Sequence, residues 1–173
     1  VHACWHPRFM EFLRPMLEDG NRLSLELMVP ATREPSDPAE KDNAAPSIFK
    51  AVEALTKGME IPLPPGATFV DRYNIPRDRV RVRWWDRQAT TYRDAALLPE
   101  PTRAALPDRA LPDHARIGVE GDRPVFFGHY GLSERPAPLA PRAACVDYNI
   151  AKKEKLCAYR YEGEPELRAE NFV

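Results

Sequence analysis

"PVFFGHYGL", residues 124–132, is the stretch on which the fold and function of this chain turn. Val125, Phe126 and Phe127 have the length and character of a short buried strand. They run directly into Gly128 and His129. A glycine there frees the backbone to turn sharply, so that the imidazole projects into a site beyond the strand end and away from the core. His2 has a similar setting within "VHACW", residues 1–5, another short apolar run rich in strand formers. Imidazole is the commonest borderline metal ligand, and rigid strand ends hold it in fixed geometry. Two histidines alone do not make a catalytic metal site, which needs three or more protein ligands.

Working outward, the last third of the chain reads as strands. "AACVDYNI" (143–150) and "KLCAYRYEG" (155–163) are strand-like, and "AKKE" (151–154) makes a sensible hairpin turn between them. Upstream, "RVRVRWWDR" (79–87) alternates Val80, Val82 and Trp84 with Arg79, Arg81 and Arg83, a period-2 strand with one apolar face. Helical signals come early. Pro7 opens a helix whose face is Phe9, Phe12, Leu13, Met16 and Leu17, with Pro15 set to shorten or kink it and Gly20 as a stop. Ser47 caps a second helix, with Ile48, Ala51, Val52 and Leu55 on one face and Gly58 at its end. "RLSLELM" (22–28) fits strand or helix equally, and residues 30–46, with four prolines and no apolar period, read as a mobile loop or lid. The fold class expected is mixed α and β, helices early and strands late.

The bulk numbers exclude several classes. A net charge of −1 gives no global attraction to nucleic acid or to an anionic membrane. No apolar run approaches the roughly 20 residues of a membrane helix, and "VHACWHPRFM" lacks the basic-then-apolar pattern of a secretory leader. Cys4, Cys145 and Cys157 are odd in number and form no CxxC pair, which points away from a disulfide framework and towards a reducing compartment, the cytoplasm. Pro is 19 of 173 residues, about twice the usual share, so much of the chain must be irregular. The chain opens on Val1 directly at a strand-like run, and the expectation is a boundary within a longer protein.

"VHACW" (1–5), "PVFFGHY" (124–130) and "CVDYNIAKKEKLCAYRYEGE" (145–164) together resemble the carboxyl-terminal half of a calcineurin-like metallophosphoesterase. The nearest type is the bacterial phosphoprotein phosphatases, which include dinucleoside-tetraphosphate hydrolases. The resemblance implies a β-sandwich flanked by helices. It implies one partial domain over 1–173: a site strand at 1–6, a helical, proline-rich insertion or cap at 7–122, and carboxyl-terminal strands at 123–173. It also implies that His2 and His129 bind one of two divalent ions (manganese, iron or zinc), and that Asp147 serves a structural role near the site. The family's "DxHG", "GDxxDRG" and "GNH(E/D)" segments, which carry most of the other ligands and the general acid, do not occur in these 173 residues. No catalytic residue is therefore assigned within the chain, which is expected to be inactive alone and to need the missing amino-terminal half as its partner. The family's "GHT" is "GHY" here, placing Tyr130 where a small hydroxyl is usual, and the hairpin lacks the family's glycine pair.

The function implied is metal-dependent hydrolysis of phosphate monoesters, of the serine/threonine phosphatase type, with dinucleoside polyphosphates as the alternative substrate. Arg81 and Arg83 are candidates to neutralise phosphate, but a solvated strand face explains them equally well, and neither is assigned to the site. His6 reads as the residue that starts a helix and His114 as exposed. A different class, a single-stranded nucleic-acid binding module, would use the arginines and tryptophans of 79–87. Trp84 and Trp85 fall on opposite faces of a strand, and the net charge is slightly negative, so nucleic acid is an unlikely partner on both counts.

Overall fold

The first helix starts where its sequence says it should. His6 sits in extended conformation and its Nδ1 accepts from the Phe9 amide at 3.4 Å, while Pro7 occupies the first turn, where no amide is needed. In the computed structural model, which describes residues 1–152 and 155–173, α1 covers Pro7–Leu13 and gives way at Pro15 to a single tight turn over Arg14–Met16. Gly20 therefore lies beyond the helix end rather than making it. α4, Ile48–Lys57, carries both expected caps: Ser47 Oγ accepts from the Lys50 amide, and Gly58 follows with φ of 92°. Its buried side is wider than the periodicity implies, because Phe49, Ala51 and Ala54 are covered while Ile48, Val52 and Leu55 are only half-buried. α1 packs on one flank of α4 and α2 on another.

The ambiguous "RLSLELM" resolves as helix. α2 spans Leu25–Thr32, with Ser24 Oγ accepting from the Leu27 amide. The segment expected to be a mobile lid is instead tied down. Asp37 caps α3, Pro38–Asp42, and the buried Lys50 ammonium donates to Glu40 O, Asn43 O and Asn43 Oδ1 at 3.1, 2.9 and 2.9 Å. A buried cation needs such acceptors, and here they come from 40–43, so the ammonium holds the segment against α4.

All described strands are short and pair two by two. β1 (Glu60–Pro62) pairs antiparallel with β4 (Arg79–Arg81), and β2 (Phe69–Val70) with β3 (Pro76–Arg77). β5 (Val125–Phe127) runs parallel to β6 (Ala143–Cys145), and β7 (Asp147–Tyr148) is antiparallel to β8 (Lys155–Leu156). Two short helices, α5 (Tyr92–Ala95) and α6 (Glu100–Ala104), lie between β4 and β5. The molecule is thus mixed α+β. The described strands form four two-stranded sheets, and no sandwich sheet assembles among them. The physical reason is length: strands of two or three residues, interrupted by prolines and turns, offer few backbone partners to a third strand.

Two further expectations change at the sheet edges. Residues 1–6 run extended beside β5 but form no ladder strand, because only Val1 N to Phe126 O and Gly128 N to His2 O are made, both at 2.8 Å. The expected strand over 155–163 stops at Leu156; beyond it Ala158 and Val173 exchange both backbone bonds, and Tyr159 packs edge-to-face with Phe172. The β7–β8 hairpin does form, although Lys153 and Glu154 of its turn lie outside the described residues.

Among the described residues a core cluster draws on segments from Ala3 to Cys145. Val80, Val82 and Trp84 alternate inward as the period-2 pattern requires, each 1% exposed, and Trp84 Nε1 donates to Ala3 O at 3.1 Å. Trp85 is buried as well, so neither indole offers a face to a nucleic-acid base. Trp84, Trp85, Phe127 and Tyr130 form a continuous ring cluster with centroid separations of 4.9 to 5.8 Å. The stretch 7–122, expected as a cap, therefore shares its core with 123–173. Cys4, Cys145 and Cys157 are free thiols. Among the described residues no helix is long and apolar enough to cross a membrane.

His6 is 5% exposed, and burial, with Arg8 nearby, pushes its pKa down to about 4 from the ordinary 6.5. Below about pH 6.5 the unfolded chain gains a proton that folded His6 refuses until about pH 4. The stability contribution is complete above pH 6.5 and is lost as pH falls towards 4, by on the order of 3 kcal/mol at most. His6→Asn keeps a capping oxygen and removes the titration. Urea midpoints followed from pH 7 to 4.5 should fall less steeply for this variant than for the parent; parallel profiles would refute the assignment.

Candidate functional site

The two histidines singled out by the sequence do meet. Hydrogen bonds from Val1 and Gly128 lay the first residues along β5, and the rings of His2 and His129 come to 5.1 Å between centroids, tilted by 54°. His2 and His129 are both exposed. His129 follows the carboxyl end of β5, and Asp147 lies just beyond the carboxyl end of its parallel neighbour β6. Crevices outside the carboxyl ends of adjacent parallel strands are where α/β proteins place ligands.

The turn itself is made differently from the expectation. Gly128 does not take up a positive φ; His129 does, at 68°. A Cβ built at Gly128 would stand 3.5 Å from Asp147 Cβ and 3.6 Å from His2 O, which are ordinary contacts, so the glycine is not sterically required. The left-handed conformation costs a non-glycine residue about 1–2 kcal/mol. It is imposed from both sides. Val146 N donates to Phe127 O at 2.8 Å and Leu132 N to Asp147 O at 3.0 Å, while Tyr130 must return at once to the core.

Tyr130 is therefore not a polar group standing in the site. Its ring is 8% exposed, packs edge-on to Trp85 and Phe127, and burial pushes its hydroxyl pKa up. Asp147 acts locally, its Oδ1 accepting from the Asn149 amide at 3.1 Å and its carbonyl from Leu132.

The two candidate arginines separate. Arg83 donates to the Asp94 carbonyl and pairs with Asp86 at 3.6 Å. Arg81 has no ion-pair partner among the described residues, and its guanidinium stands 5.5 Å from the centre of the Tyr130 ring, on the side of His129. Partial desolvation is the main cause of a lowered His129 pKa; Arg81 and His2 add to it, and Asp147 opposes it. His129 is thus neutral near pH 7, with a ring lone pair available. The sequence placed Arg81 and Arg83 on the same strand face and left both unassigned; the turn after β4 brings Asp86, three residues on, to Arg83 and not to Arg81.

As metal ligands the residues fit in part. Two neighbouring imidazoles, one held neutral, are a suitable nitrogen pair for a borderline divalent ion. Among the described residues no group of three or more His, Cys, Asp or Glu side chains is arranged to hold a metal. Cys145, near Asp147, is no substitute, since burial raises its thiol to about 11. A separate cleft of about 50 Å³ between α4 and β1 includes Lys50, His114 and Arg79 but neither His2 nor His129. Its cations are engaged internally, Lys50 by Asn43 and Arg79 by Asp42. His114, expected to be exposed, is half-buried there and its pKa is lowered by burial. Compared with protein-family profiles, curated proteins and solved structures, the chain matches none.

If the left-handed backbone at His129 is strained, glycine should suit it better than alanine, both having lost the ring. Allowing for the extra freedom glycine gives the unfolded chain, His129→Gly should be more stable than His129→Ala by about 1 kcal/mol in urea unfolding. Equal or reversed stabilities would show that the turn carries no strain.

Proposed function

We propose that this chain is the carboxyl-terminal part of a metal-dependent phosphoesterase of the calcineurin-like type, acting on phosphate monoesters. The observation that carries the proposal is the juxtaposition of His2 and His129 at 5.1 Å, at the carboxyl end of β5. It supports the pairing that the resemblance of "VHACW" and "PVFFGHY" implies. His2 and His129 would ligate one divalent ion, and the ligands still needed would come from "DxHG"-, "GDxxDRG"- and "GNH"-type segments, which this sequence does not contain.

Divalent ions, when bound, supply Lewis-acid polarisation of the phosphoryl group and an acidic water. The chain's own residues contribute position and charge. Backbone bonds on both sides of His129 hold its backbone in the left-handed turn, and partial desolvation with Arg81 and His2 nearby favours the neutral imidazole, whose lone pair can be donated. Arg81, unpaired, would neutralise charge on the phosphoryl oxygens from the Tyr130 side. Asp147 holds the turn at Asn149 and offsets part of the positive charge around His129. No general acid is assigned within these residues, so the chain alone is expected to be inactive.

Equilibrium dialysis of the 173-residue chain against zinc should reveal one weak site, lost in both His2→Ala and His129→Ala. The same chain should not hydrolyse para-nitrophenyl phosphate with manganese present. Zinc binding unchanged in the double variant, or robust turnover by the isolated chain, would overturn the proposal.

A further inference from the structure

Arg81 faces two ways. On one side it lies by His129; on the other it lines an open groove of about 610 Å³ between the β1–β4 ladder and the β2–β3 hairpin. Four guanidiniums border that groove, those of Arg72, Arg77, Arg79 and Arg81. Two are spoken for: Arg77 is bound to Asp71 at 2.8 Å, and Arg79 pairs with Asp42. Arg72 and Arg81 have no ion pair among the described residues. Glu60, opposite Arg81 in the ladder, also lines the groove and forms no ion pair there. The chain as a whole carries −1, so this concentration of positive charge is local. Arg72 is exposed at the hairpin with its guanidinium 4.8 Å over the ring of exposed Tyr73.

Resting on the phosphoesterase reading, we propose that the groove binds a linear polyphosphate chain. One phosphate lies at Arg81 beside the histidines, and a further one lies at Arg72. A single phosphate would occupy only the Arg81 end of a space this large, leaving the second free guanidinium without a counter-charge. Arginine's planar fork suits phosphate oxygens, and the groove walls limit solvent screening. The same chemistry is carried by inorganic polyphosphate and by nucleoside polyphosphates. In the second case Tyr73 offers an exposed ring on which a base can stack.

The test is calorimetric titration of the metal-free 173-residue chain with orthophosphate, tripolyphosphate and adenosine triphosphate. It involves no turnover and no metal, so its failure leaves the histidine pair untouched, and failure of zinc binding leaves the groove untouched. Tripolyphosphate should bind at least tenfold more tightly than orthophosphate. Arg72→Ala, a change at an exposed position, should cost about tenfold for tripolyphosphate and leave orthophosphate unaltered. Arg81→Lys, which keeps the charge and loses the fork, should weaken both. Arg87→Ala, which removes a charge paired with Glu120 on another surface, should change neither appreciably. Tighter binding of adenosine triphosphate, with the gain lost in Tyr73→Ala, would identify the nucleotide as the source; equal binding would identify the bare chain. Equal affinity for orthophosphate and tripolyphosphate, equal losses in Arg72→Ala and Arg87→Ala, or preference for a polyglutamate peptide would each overturn the proposal.

Discussion

The contact between the Trp84–Trp85 pair and Phe127 holds the functional end of this molecule together. Phe127 lies 4.9 Å from Trp84 and 5.0 Å from Trp85 between centroids, and Tyr130 closes the cluster 5.1 Å from Trp85. Each such ring pair adds about 0.5–1.5 kcal/mol to the burial of large apolar surfaces. The cluster fastens the end of β4 to the end of β5, and those two segments deliver Arg81 and His129. It also reaches α4: a Cβ at Gly58, where φ is 92°, would fall 2.5 Å from the Tyr130 oxygen, so the helix ends on a residue that leaves room for the ring. The tyrosine after "GH" then has a packing explanation. The ring is core, and its position governs the direction of the histidine before it.

Much of the local structure was legible because the signals were local. Ser47 and Gly58 bracket α4, Pro7 starts α1, Pro15 ends it, and the alternation of 79–84 buries Val80, Val82 and Trp84. The failures came where distant residues decide. Whether 22–28 became helix depended on packing against α4, and the stillness of 37–43 depended on one buried ammonium from that helix. Sheet assembly was least legible, since the parallel pairing of β5 with β6 leaves no mark on either sequence. At the site, the proximity of His2 and His129 was anticipated, but the residue that bends was not. Glycine is the cheaper choice for a left-handed turn, and only the backbone shows that the histidine takes it.

That choice has a consequence for how the site is held. A strained residue persists only where its surroundings over-determine it, and His129 is fixed by the bonds of Phe127 and Asp147 carbonyls on either side. An unpaired guanidinium nearby is a second local cost, because Arg81 stands half-buried without a carboxylate in contact. Arg83, two residues on, avoids it by reaching Asp94 and Asp86. Strain and uncompensated charge thus fall together on one side of the aromatic cluster, where the buried Tyr130 hydroxyl also lacks a hydrogen-bond partner.

The charges around the histidines then constrain what can bind there. His129 is held neutral, Arg81 and Lys57 bring positive charge, Glu53 pairs with Lys57, and Asp147 supplies the negative charge noted beside His129. Left to these residues, the neighbourhood attracts an anion more readily than a divalent cation. A cation becomes favourable only when further carboxylates join the imidazoles, since hard and borderline ions in phosphoryl chemistry rely on them for charge neutralisation. On the proposed reading, metal ligation by His2 and His129 and phosphate attraction by Arg81 would not compete: the arginine would make the imidazole pair a poor metal site by itself, and would draw in a phosphate ester once acidic ligands had restored the balance.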